Sequence, residues 1–478
     1  MKRFDLLIAG PGSKNKKFET VVTPYSGEVI AEVETATVSD VERAIDRAEK
    51  AAEIWRRTPA HKRFEILMAA AALADERQEE MAQIISRENG KSLVEARSEA
   101  SRSGEIIRLS AFEGSQLYGD SLPLDANRGT GQEKIGFTLP QPVGVVVAIS
   151  PFNYPALLVM HKIGPALAVG NAVILKPART TPLTAIALAQ CFLDAGLPEG
   201  VLSVITGSGS ELGHALVSNP KVRKVSFTGS TRVGESITRV AGVKKLSLEL
   251  GASSPVVVLS DADIEYAANA VSIGGYVNAG QVCISVQRVI VEQTIMGQFL
   301  DALAPKVAAL KVGNPLDEAT QIGSLISESE AKRVSESIQQ AVLQGAQLVM
   351  GGQRDGSYIQ PAILAGVDPN SSIAQDELFG PAVVISNAAN DREAIALANS
   401  TQYGLGAGIF TKNTDRAIEA MREIDAGIIH INWTPLWRAD LMPYGGLKSS
   451  GVGKEGIRTT VSEMTELKTV IMHGRAWY

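Results

Sequence analysis

The sequence is poor in cysteine and histidine, and these shortages exclude two classes of protein. Its 478 residues include two cysteines and five histidines. Two cysteines cannot form a disulfide framework, which favours a reducing, cytoplasmic location. Because the histidines and cysteines are scattered without the spacing of a zinc site, we expect no bound metal.

Long hydrophobic runs and an excess of positive charge are also missing. No uncharged apolar stretch reaches about 18 residues, so the sequence predicts no transmembrane helix. The N-terminal apolar run is too short for a signal peptide, and Asp5 interrupts it. A net charge of −6 offers no electrostatic attraction to nucleic acid. We therefore expect a protein that binds neither nucleic acid nor membrane.

The composition that remains is that of a globular protein with a large core. Hydrophobic residues make up 45% of the chain and charged residues 21%. A chain of 478 residues is too long for a single hydrophobic core, and it predicts two or three domains.

The first 120 residues predict a hairpin followed by helices. Alternating apolar residues on both sides of a Pro-Tyr-Ser-Gly turn indicate a hairpin over 18–34. A helix is expected to begin at Ser39, with Ser39 and Glu42 as a capping box. Two further helices are predicted over 60–88 and 91–118.

From residue 143 onward, short apolar runs alternate with helical patterns. Such runs are typical of buried parallel strands, and the alternation predicts an α/β fold with a doubly wound sheet. Ligands on such a sheet bind at the carboxyl ends of the strands. The alternation resumes over about 252–440, which predicts a second α/β domain. The predicted strands of the first part are 145–149, 172–175, 201–205 and 222–227.

Two further segments predict an extended ribbon outside these sheets. Residues 125–142 contain a polar stretch that leads into an exposed strand, and residues 466–472 form another strand near the chain end. Such a ribbon is an arm or an edge rather than core. The terminal strand pairs either with the arm or with another subunit.

Two glycine-containing loops join a strand to a helix. The segment Gly207–Gly213 has one residue too many for the usual dinucleotide-binding fingerprint. In the second loop, Phe227–Gly234, free amides and the Ser230 hydroxyl could hold a phosphate at the helix N-terminus. An ordinary tight turn is the alternative for either loop.

Cys283 and Glu249 are the candidate reactive side chains. Cys283 lies among small and polar residues in Asn278–Ser285, next to a flexible Gly280. A thiolate is a strong nucleophile near neutral pH, although an isolated buried cysteine often serves only packing. Glu249 lies among apolar and small residues, where burial would raise its pKa towards that of a general base. A salt-bridged or capping glutamate is the alternative.

Taken together, these stretches resemble the aldehyde dehydrogenase superfamily of NAD(P)-dependent enzymes over nearly the whole chain. The subgroup that the chain resembles most includes lactaldehyde, phosphonoacetaldehyde and non-phosphorylating glyceraldehyde-3-phosphate dehydrogenases. The ordered set of motifs is far more specific than any one of them. The matching motifs are Pro151-Phe152-Asn153, Leu175-Lys176-Pro177, Phe227-Thr228-Gly229-Ser230, Leu248-Glu249-Leu250-Gly251, Gly280-Gln281-Val282-Cys283, Glu377-Leu378-Phe379-Gly380-Pro381 and Pro443-Tyr444-Gly445-Gly446.

The resemblance implies two doubly wound α/β domains and a small β-ribbon for oligomerisation. A Rossmann-like NAD(P)-binding domain would comprise residues 1–121 and 144–251. The catalytic domain would span 252–440. Residues 122–143 and 456–478 would form the oligomerisation arm of a homodimer or homotetramer.

The resemblance also implies a mechanism. Cys283 would attack the aldehyde carbon, and the side-chain amide of Asn153 with the Cys283 backbone N–H would stabilise the oxyanion. After hydride transfer, Glu249 would activate the water that hydrolyses the thioester. Because this glutamate is present, a coenzyme A-acylating enzyme is the less favoured alternative. A cysteine hydrolase and a binding protein that has lost catalysis are the rival classes.

For the cofactor, the resemblance places Lys176 near the adenosine ribose, Ser230 at the pyrophosphate, and Glu377 and Phe379 at the nicotinamide ribose. Many relatives that prefer NAD carry a glutamate three residues after the lysine, where this chain has Arg179. An arginine pairs with a 2′-phosphate, so we predict that NADP is used well. The remaining expected cofactor contacts are Ser150, Pro151, Phe152, Gly209 and Gly229.

For the substrate, Arg102, His161 and Arg438 fall where some relatives line the substrate tunnel. Three cationic or titratable groups favour a small anionic aldehyde of the phosphonoacetaldehyde, lactaldehyde, glyceraldehyde-3-phosphate or succinate semialdehyde type. Relatives that bind phosphorylated substrates often carry arginine just before the nucleophile, where this chain has Val282.

An apolar funnel is the alternative for the same tunnel. Trp433 and Trp437 could form it, and the enzyme would then be a broad-specificity dehydrogenase of neutral aldehydes.

Overall fold

The computed structural model describes residues 2–9 and 16–474. No helix in these residues combines the length and the apolarity that a bilayer crossing requires. The same part of the chain contains no group of three or more His, Cys, Asp or Glu side chains that could hold a metal ion. The helices are α1 (Val38–Trp55), α2 (Ala60–Glu76), α3 (Gln78–Asn89), α4 (Leu93–Ser115), α5 (Leu157–Val169), α6 (Pro182–Asp194), α7 (Gly209–Ser218), α8 (Thr231–Val240), α9 (Ile264–Gly274), α10 (Met296–Ala308), α11 (Glu328–Leu343), α12 (Ser372–Gln375), α13 (Asp391–Ala398), α14 (Thr414–Glu423) and α15 (Ile457–Glu463).

The strands of the described residues form two large sheets and several small ones. They are β1 (Lys2–Phe4), β2 (Lys17–Val22), β3 (Val29–Thr35), β4 (Ser121–Leu122), β5 (Lys134–Pro142), β6 (Val145–Ile149), β7 (Ala172–Lys176), β8 (Leu202–Val204), β9 (Val222–Thr228), β10 (Lys245–Glu249), β11 (Ser254–Val258), β12 (Val286–Glu292), β13 (Gln347–Met350), β14 (Arg354–Asp355), β15 (Tyr358–Ile359), β16 (Ala362–Ala365), β17 (Ala382–Ala388), β18 (Tyr403–Gly404), β19 (Gly406–Phe410), β20 (Ile428–Ile431), β21 (Leu447–Lys448), β22 (Gly451–Val452) and β23 (Thr465–His473).

The first large sheet has the order β22-β10-β9-β6-β7-β8. Its strands run parallel except for β22, which pairs with β10 in the opposite direction. Strands β6 and β7 are apolar apart from Lys176, as expected for strands that are covered on both faces. The covering helix α5 is buried along its whole length, although it carries His161 and Lys162. The core around this sheet therefore encloses polar side chains, including also Lys224 of β9.

The carboxyl ends of four parallel strands bring the predicted cofactor and base residues to one edge of this sheet. Strand β6 ends just before Ser150, β7 ends at Lys176, β9 ends two residues before Ser230, and β10 ends at Glu249. Parallel neighbours place these ends side by side, which is where doubly wound sheets bind ligands.

The second large sheet has the order β13-β16-β17-β12-β11-β19-β20. All neighbours are parallel except β13 and β16. Cys283 lies three residues before β12, at the amino end of that strand. The candidate nucleophile and the candidate base are therefore contributed by different sheets.

A third sheet of three strands lies apart from both, in the order β23-β5-β4. Nine residues of β23 pair antiparallel with nine residues of β5 in the same chain. Of the two partners that the sequence left open for the terminal strand, the structure shows the arm. Helix α15 contributes Ile457 and Val461 to the core beneath the first sheet, so of the tail only β23 joins the ribbon.

The first helices differ from the sequence prediction in two places. The capping box of α1 is formed by Thr37 and Asp40 and not by Ser39 and Glu42. The Asp40 N–H donates to the Thr37 hydroxyl (3.3 Å), and the Asp40 carboxylate accepts from the Thr37 N–H (2.8 Å). The helix predicted over 60–88 is two helices, because the backbone departs from helical geometry at Arg77.

Candidate active site

A cavity of about 510 Å³ lies at the carboxyl edge of the first sheet and reaches Cys283. It brings together residues that the sequence predicts to act in catalysis with residues that it predicts to bind the cofactor. Its lining also includes Thr228, Leu250, Glu330 and Arg333, which the sequence did not single out. The predicted residues that line it are Pro151, Phe152, Asn153, Gly229, Ser230, Cys283, Glu377 and Phe379.

A tight left-handed turn presents Cys283 to this cavity. Three successive residues have positive φ angles: Asn278 at 50°, Ala279 at 52° and Gly280 at 72°. Two of them carry side chains that disfavour this conformation, so the surrounding structure must hold the turn in place. A Cβ atom on Gly280 would lie 2.1 Å from the Gly380 carbonyl oxygen, which leaves room for glycine alone.

Hydrogen bonds hold the turn against the loop that carries Asn153. The Asn278 side-chain amide donates to the Asn153 carbonyl (3.0 Å). The Asn153 side-chain amide donates to the Gln281 carbonyl (2.8 Å). The Gln281 side chain accepts from the Ile326 N–H (2.9 Å). The thiol and the candidate oxyanion donor are thus positioned relative to each other before any substrate arrives.

The Cys283 thiol is in contact with a phenol. Its Sγ lies 2.9 Å from the Tyr444 hydroxyl. Burial raises the pKa of Cys283 to about 12, and the hydrogen bond from Tyr444 opposes that rise. The guanidinium carbon of Arg438 lies 3.9 Å from the centre of the Tyr444 ring. A cation over the ring face makes the hydroxyl a better hydrogen-bond donor to a thiolate.

Glu249 is buried without a hydrogen-bond partner. Its side chain is 2% exposed, and neither carboxylate oxygen has a partner among the residues that the structure describes. Burial raises its pKa well above the ordinary value, and the nearby charge of Glu455 adds to the rise. A carboxylate with a raised pKa and free lone pairs is suited to accept a proton from water.

A buried ion pair lies behind Glu249. The Lys162 ammonium donates to Glu455 (2.5 Å) and to the Thr228 hydroxyl (2.7 Å). Burial alone would raise the pKa of Glu455, but Lys162 and Arg438 outweigh it and lower that pKa to about 2. Glu455 is therefore the more acidic of the two carboxyl groups, and Glu249 is the one whose pKa is raised.

The predicted substrate residues form one line of contacts that leads away from the thiol. Arg438 lies over the Tyr444 ring, and its Nη2 is 3.4 Å from His161 Nδ1. His161 Nε2 lies 3.1 Å from the carboxylate of Asp440. The same carboxylate is paired with Arg102. The structure therefore brings Arg102, His161 and Arg438 together, with a carboxylate between them that the sequence did not predict.

His161 is neutral in this line. Burial and the adjacent Arg438 together lower its pKa to about 4. A single neutral tautomer satisfies both contacts, since Nε2–H donates to Asp440 while Nδ1 accepts from Arg438. Of the three cationic or titratable groups that the sequence singled out, two are arginines and the third is a neutral histidine between them.

The ring contacts of the two tryptophans are with Tyr266 and His430. The Trp433 ring packs against Tyr266 of α9, with ring centres 5.5 Å apart. The Trp437 ring is 58% exposed and meets His430 edge to face. Neither ring contact involves a residue of the line from Tyr444 to Arg102. These contacts therefore give no support to the alternative of an apolar funnel.

The cleft contains polar groups that fit a dinucleotide. Ser230 is the N-cap residue of α8, yet its side chain makes no capping hydrogen bond. The Ser230 hydroxyl and the N-terminus of α8 can therefore both bind a phosphate. The Ser150 hydroxyl is buried and has no partner in the described part of the chain. Burial raises the pKa of Glu377 to about 7, and this side chain accepts from the Ala252 N–H (3.0 Å). The rings of Phe152 and Phe379 meet edge to face at 5.9 Å.

The residues predicted to lie near the adenosine, Lys176, Gly209 and Arg179, include two side chains that already have partners within the protein. Lys176 is buried, which lowers its pKa to about 8, and its ammonium donates to the Pro177 carbonyl (3.2 Å). Gly209 is close by, since a Cβ atom there would lie 3.9 Å from the Lys176 ammonium. Arg179 forms a two-pronged pair with Glu19, at 2.8 and 2.9 Å. In the structure, the partner of Arg179 is thus a carboxylate from β2. The sequence prediction paired Arg179 with a 2′-phosphate and did not include this carboxylate.

The family model that matches this sequence covers nearly all of it. Residues 11–470 match the description "Aldehyde dehydrogenase family". The chain belongs to the aldehyde dehydrogenase family. The resemblance seen in the ordered motifs is thereby confirmed, and so are the α/β fold and the prediction of an NAD(P)-dependent enzyme.

Similar proteins extend this finding. The chain is 43% identical over 473 residues to 3-sulfolactaldehyde dehydrogenase of Priestia aryabhattai, covering 99% of this chain and 98% of that protein. It is 40% identical over 462 residues to lactaldehyde dehydrogenase of Methanocaldococcus jannaschii, covering 96% and 98%. Among solved structures, NADP-dependent glyceraldehyde-3-phosphate dehydrogenase from Bacillus halodurans in complex with NADP superposes with a TM-score of 0.97, at 36% identity, over 99% of this chain and all of that one.

Several residues of this aldehyde dehydrogenase site were missed by sequence reasoning. Tyr444 lies in a motif that was recognised but was given no role. A lysine or glutamate within an otherwise apolar, buried helix indicates a paired or functional charge, because such residues are rarely buried alone. Lys162 of α5 could have been found this way. Asp440 and Glu455 lie in irregular segments, where no periodic pattern distinguishes a buried carboxylate from an exposed one.

Proposed function

We propose that this aldehyde dehydrogenase oxidises a small aldehyde carrying an anionic group to the carboxylic acid. The observation that supports it is the line of contacts from the Cys283 thiol through Tyr444 and Arg438 to His161 and Asp440, and on to Arg102. Two arginines in this line, Arg438 over the Tyr444 ring and Arg102 at the far end, attract an anion and orient the aldehyde end towards the thiol.

The substrates named for the relatives share a carbon skeleton. Sulfolactaldehyde, lactaldehyde and glyceraldehyde 3-phosphate are three-carbon aldehydes with a hydroxyl group on carbon 2, and they differ in the group on carbon 3. That skeleton is therefore the first to test with this enzyme. A broad specificity for neutral aldehydes is the second candidate, and the tryptophan positions do not favour it.

In the proposed reaction, the Cys283 thiolate attacks the aldehyde carbon. The Asn153 side-chain amide and the Cys283 backbone N–H donate to the oxyanion of the thiohemiacetal. When bound, NAD(P) would supply the hydride acceptor, with Lys176, Ser230 and Glu377 among the residues that would hold it, and the oxidised carbon would remain on Cys283 as a thioester. Glu249 takes a proton from water as the water oxygen bonds to the thioester carbon. The C–S bond then breaks, its electron pair returns to the Cys283 thiolate, and the acid leaves.

The experiment compares kcat/KM for charged and neutral aldehydes in the wild type and in Arg102→Ala. We expect the variant to lose roughly tenfold or more with the anionic substrate, because one cation near a partly desolvated anion is removed, and to change little with lactaldehyde. Arg108→Ala is the matched control, since Arg108 lies on the same helix and pairs with Asp75 instead. An unchanged KM for the best substrate in Arg102→Ala would contradict the proposal.

NADP is the proposed preferred cofactor. Arg179 supports this preference, because its guanidinium offers two parallel N–H donors to a 2′-phosphate. A glutamate at that position would instead bind the ribose hydroxyls. The Arg179 side chain is 63% exposed in its pair with Glu19. A bound phosphate can therefore replace the Glu19 carboxylate at small cost in free energy. Arg179→Ala should lower kcat/KM for NADP while leaving the value for NAD nearly unchanged, and equal losses with both cofactors would contradict this role.

We also propose a homo-oligomer with the ribbon of β4, β5 and β23 as its arm. Strand β23 lies at the edge of that sheet, and edge strands with exposed apolar side chains invite pairing. The domain boundaries predicted from the sequence are kept as part of this proposal, except that β23 and not the whole of 456–478 forms the C-terminal part of the arm, because α15 packs in the core of the first sheet. The exposed apolar side chains of the arm are Ile135, Leu139, Leu467, Ile471 and Met472.

A cytoplasmic location is the last part of the proposal. Cys191 and Cys283 are both free thiols, and the proposed chemistry requires Cys283 to stay reduced. Cell fractionation with a tagged chain tests this: activity in an oxidising compartment would contradict it.

A further inference from the structure

Asp440 is the one acidic side chain in direct contact with both Arg102 and His161 among the residues that the structure describes. We propose that Asp440 limits the charge that the substrate site accepts, and that it makes the enzyme selective for aldehydes with one negative charge over aldehydes with two. This inference rests on the proposed function, because it assumes that the anionic group of the substrate binds near Arg102 and Arg438.

The geometry makes Asp440 part of the site rather than a surface partner of Arg102. Its side chain is 9% exposed, while that of Arg102 is 30% exposed. One carboxylate oxygen accepts from His161 Nε2 at 3.1 Å and also meets the Arg102 guanidinium. Through His161 the same carboxylate fixes the position of Arg438 Nη2, 3.4 Å from His161 Nδ1. Asp440 therefore orients both arginines and also cancels one of their charges.

The line of contacts, taken with the Lys162–Glu455 pair next to Arg438, leaves one positive charge for a ligand. His161 contributes none, since its pKa of about 4 keeps it neutral. The pKa of Asp440 is lowered, because its contacts with His161 and Arg102 outweigh the effect of burial, so it is ionised. The cations are Arg102, Arg438 and Lys162, and the anions are Asp440 and Glu455.

A single excess charge is the complement of a sulfonate or a carboxylate. A phosphate ester carries about 1.5 to 2 negative charges near neutral pH and would leave part of its charge unpaired in this site. The residue directly before the nucleophile supplies no further cation, because it is Val282, which is 7% exposed. The site therefore suits a monoanion better than a dianion.

The experiment measures kcat/KM at pH 8 for three aldehydes on one skeleton: lactaldehyde, 3-sulfolactaldehyde and glyceraldehyde 3-phosphate. Lactaldehyde is uncharged and serves as the internal reference, so that a general loss of activity cancels in the ratios. In the wild type we expect the sulfonate to exceed the phosphate ester by roughly tenfold or more, the size expected for one unpaired charge. Succinate semialdehyde then distinguishes a carboxylate from a sulfonate as the preferred monoanion.

Asp440→Asn removes the charge and keeps the size and the hydrogen-bonding groups of the side chain. We expect this variant to raise the ratio of phosphate ester to sulfonate by roughly tenfold, because the site then carries a second excess positive charge. Asp46→Asn is the matched control, since Asp46 pairs with Lys221 on the surface of α1, and its ratio should equal that of the wild type. An unchanged ratio in Asp440→Asn would overturn the proposal.

Arg102→Gln keeps the proposal testable if Asp440→Asn does not fold. Removing Arg102 leaves no excess charge, so the ratio of sulfonate to lactaldehyde should fall roughly tenfold. A wild-type enzyme that prefers the phosphate ester to the sulfonate overturns the charge limit but leaves the anionic-substrate proposal standing. A wild-type enzyme that prefers lactaldehyde to both anions overturns the proposed function itself.

Discussion

Tyr444 is the residue on which the reactivity of the thiol depends most in this structure. Burial raises the pKa of Cys283 to about 12 even with the Tyr444 hydrogen bond in place, so at neutral pH the thiolate is the minor form and losing that hydrogen bond reduces it further. The Tyr444 hydroxyl, 2.9 Å from Sγ, is placed to donate to it. Hydrogen bonds to charged groups contribute about 1.5–3 kcal/mol, and one pKa unit corresponds to about 1.4 kcal/mol.

Tyr444→Phe should therefore raise the pKa of Cys283 by about one to two units. Loss of the donor destabilises the thiolate and leaves the thiol unchanged, so the fraction of thiolate falls at every pH below the pKa. The measurement is the rate of Cys283 alkylation by iodoacetamide between pH 7 and 10. We expect the variant to react about tenfold or more slowly at pH 8, with its profile displaced to higher pH.

Tyr276→Phe is the control for that measurement. The Tyr276 side chain is equally buried, but its hydroxyl donates to the Ala362 carbonyl (2.9 Å) and not to the thiol. Its alkylation profile should match that of the wild type. A wild-type profile in Tyr444→Phe would show that the contact with Cys283 does not affect the thiolate.

At this scale the sequence could predict the reactive residues but not their surroundings. Cys283, Glu249 and Asn153 lie in motifs of recognisable composition. The contact between Cys283 and Tyr444 joins residues 161 positions apart, and that between Arg102 and Asp440 joins residues 338 apart. Without a periodic pattern across such distances, a single sequence does not show which carboxylate neutralises which arginine.

At the scale of elements, the turn Val277–Gly280 decides whether Cys283 reaches the cavity. Gly280→Ala places a methyl group 2.1 Å from the Gly380 carbonyl oxygen, at a φ of 72° that alanine disfavours. We expect a large loss of kcat and a lower melting temperature, since neither backbone segment can move without displacing the other. Thermal unfolding and steady-state kinetics measure the two effects.

Gly297→Ala provides the comparison. Gly297 lies in the first turn of α10, and a Cβ atom there has open space within 4 Å. Alanine in a helix is favoured over glycine by about 0.5–1 kcal/mol, so this variant should be as active as the wild type and slightly more stable. Equal behaviour of the two variants would contradict the argument from close approach at Gly280.

The elements themselves were largely predictable, and their ends were not. Runs rich in valine and isoleucine indicated the parallel strands, because strands covered on both faces must be apolar throughout. At the start of α1, both Thr37–Asp40 and Ser39–Glu42 satisfy the capping pattern, and the sequence does not rank them. The break at Arg77 was hidden because the helical pattern continues on both sides of it.

At the scale of the whole molecule, the terminal strand shows what a sequence pattern does not predict, namely the pairing partner of a strand. The alternation in β23 predicts a strand but not its partner, since any complementary edge satisfies the same pattern. The structure pairs it with β5, which leaves the other edge of β23 exposed in the part of the chain that is described. Leu467 on this strand is 65% exposed.

Leu467→Glu should weaken the proposed oligomer. A charge on an apolar contact surface must be desolvated when the surfaces meet, and this disfavours association. Light scattering after size exclusion should show a smaller species for this variant than for the wild type. Val243→Glu is the control, because Val243 is fully exposed outside the ribbon and its variant should keep the wild-type mass. A monomeric wild type would contradict the oligomer proposal.

The most direct test of the account is to trap the thioester on Cys283. Glu249→Gln removes the proposed base and keeps the size of the side chain, so hydrolysis should slow by about 10²-fold or more while formation of the thioester continues. The variant is mixed with NADP and 3-sulfolactaldehyde, quenched in acid, and examined by peptide mass spectrometry together with NADPH absorbance. We predict close to one NADPH per active subunit and an acyl group on the peptide that contains Cys283. An unmodified Cys283 in a variant that still turns over at the wild-type rate would contradict the account.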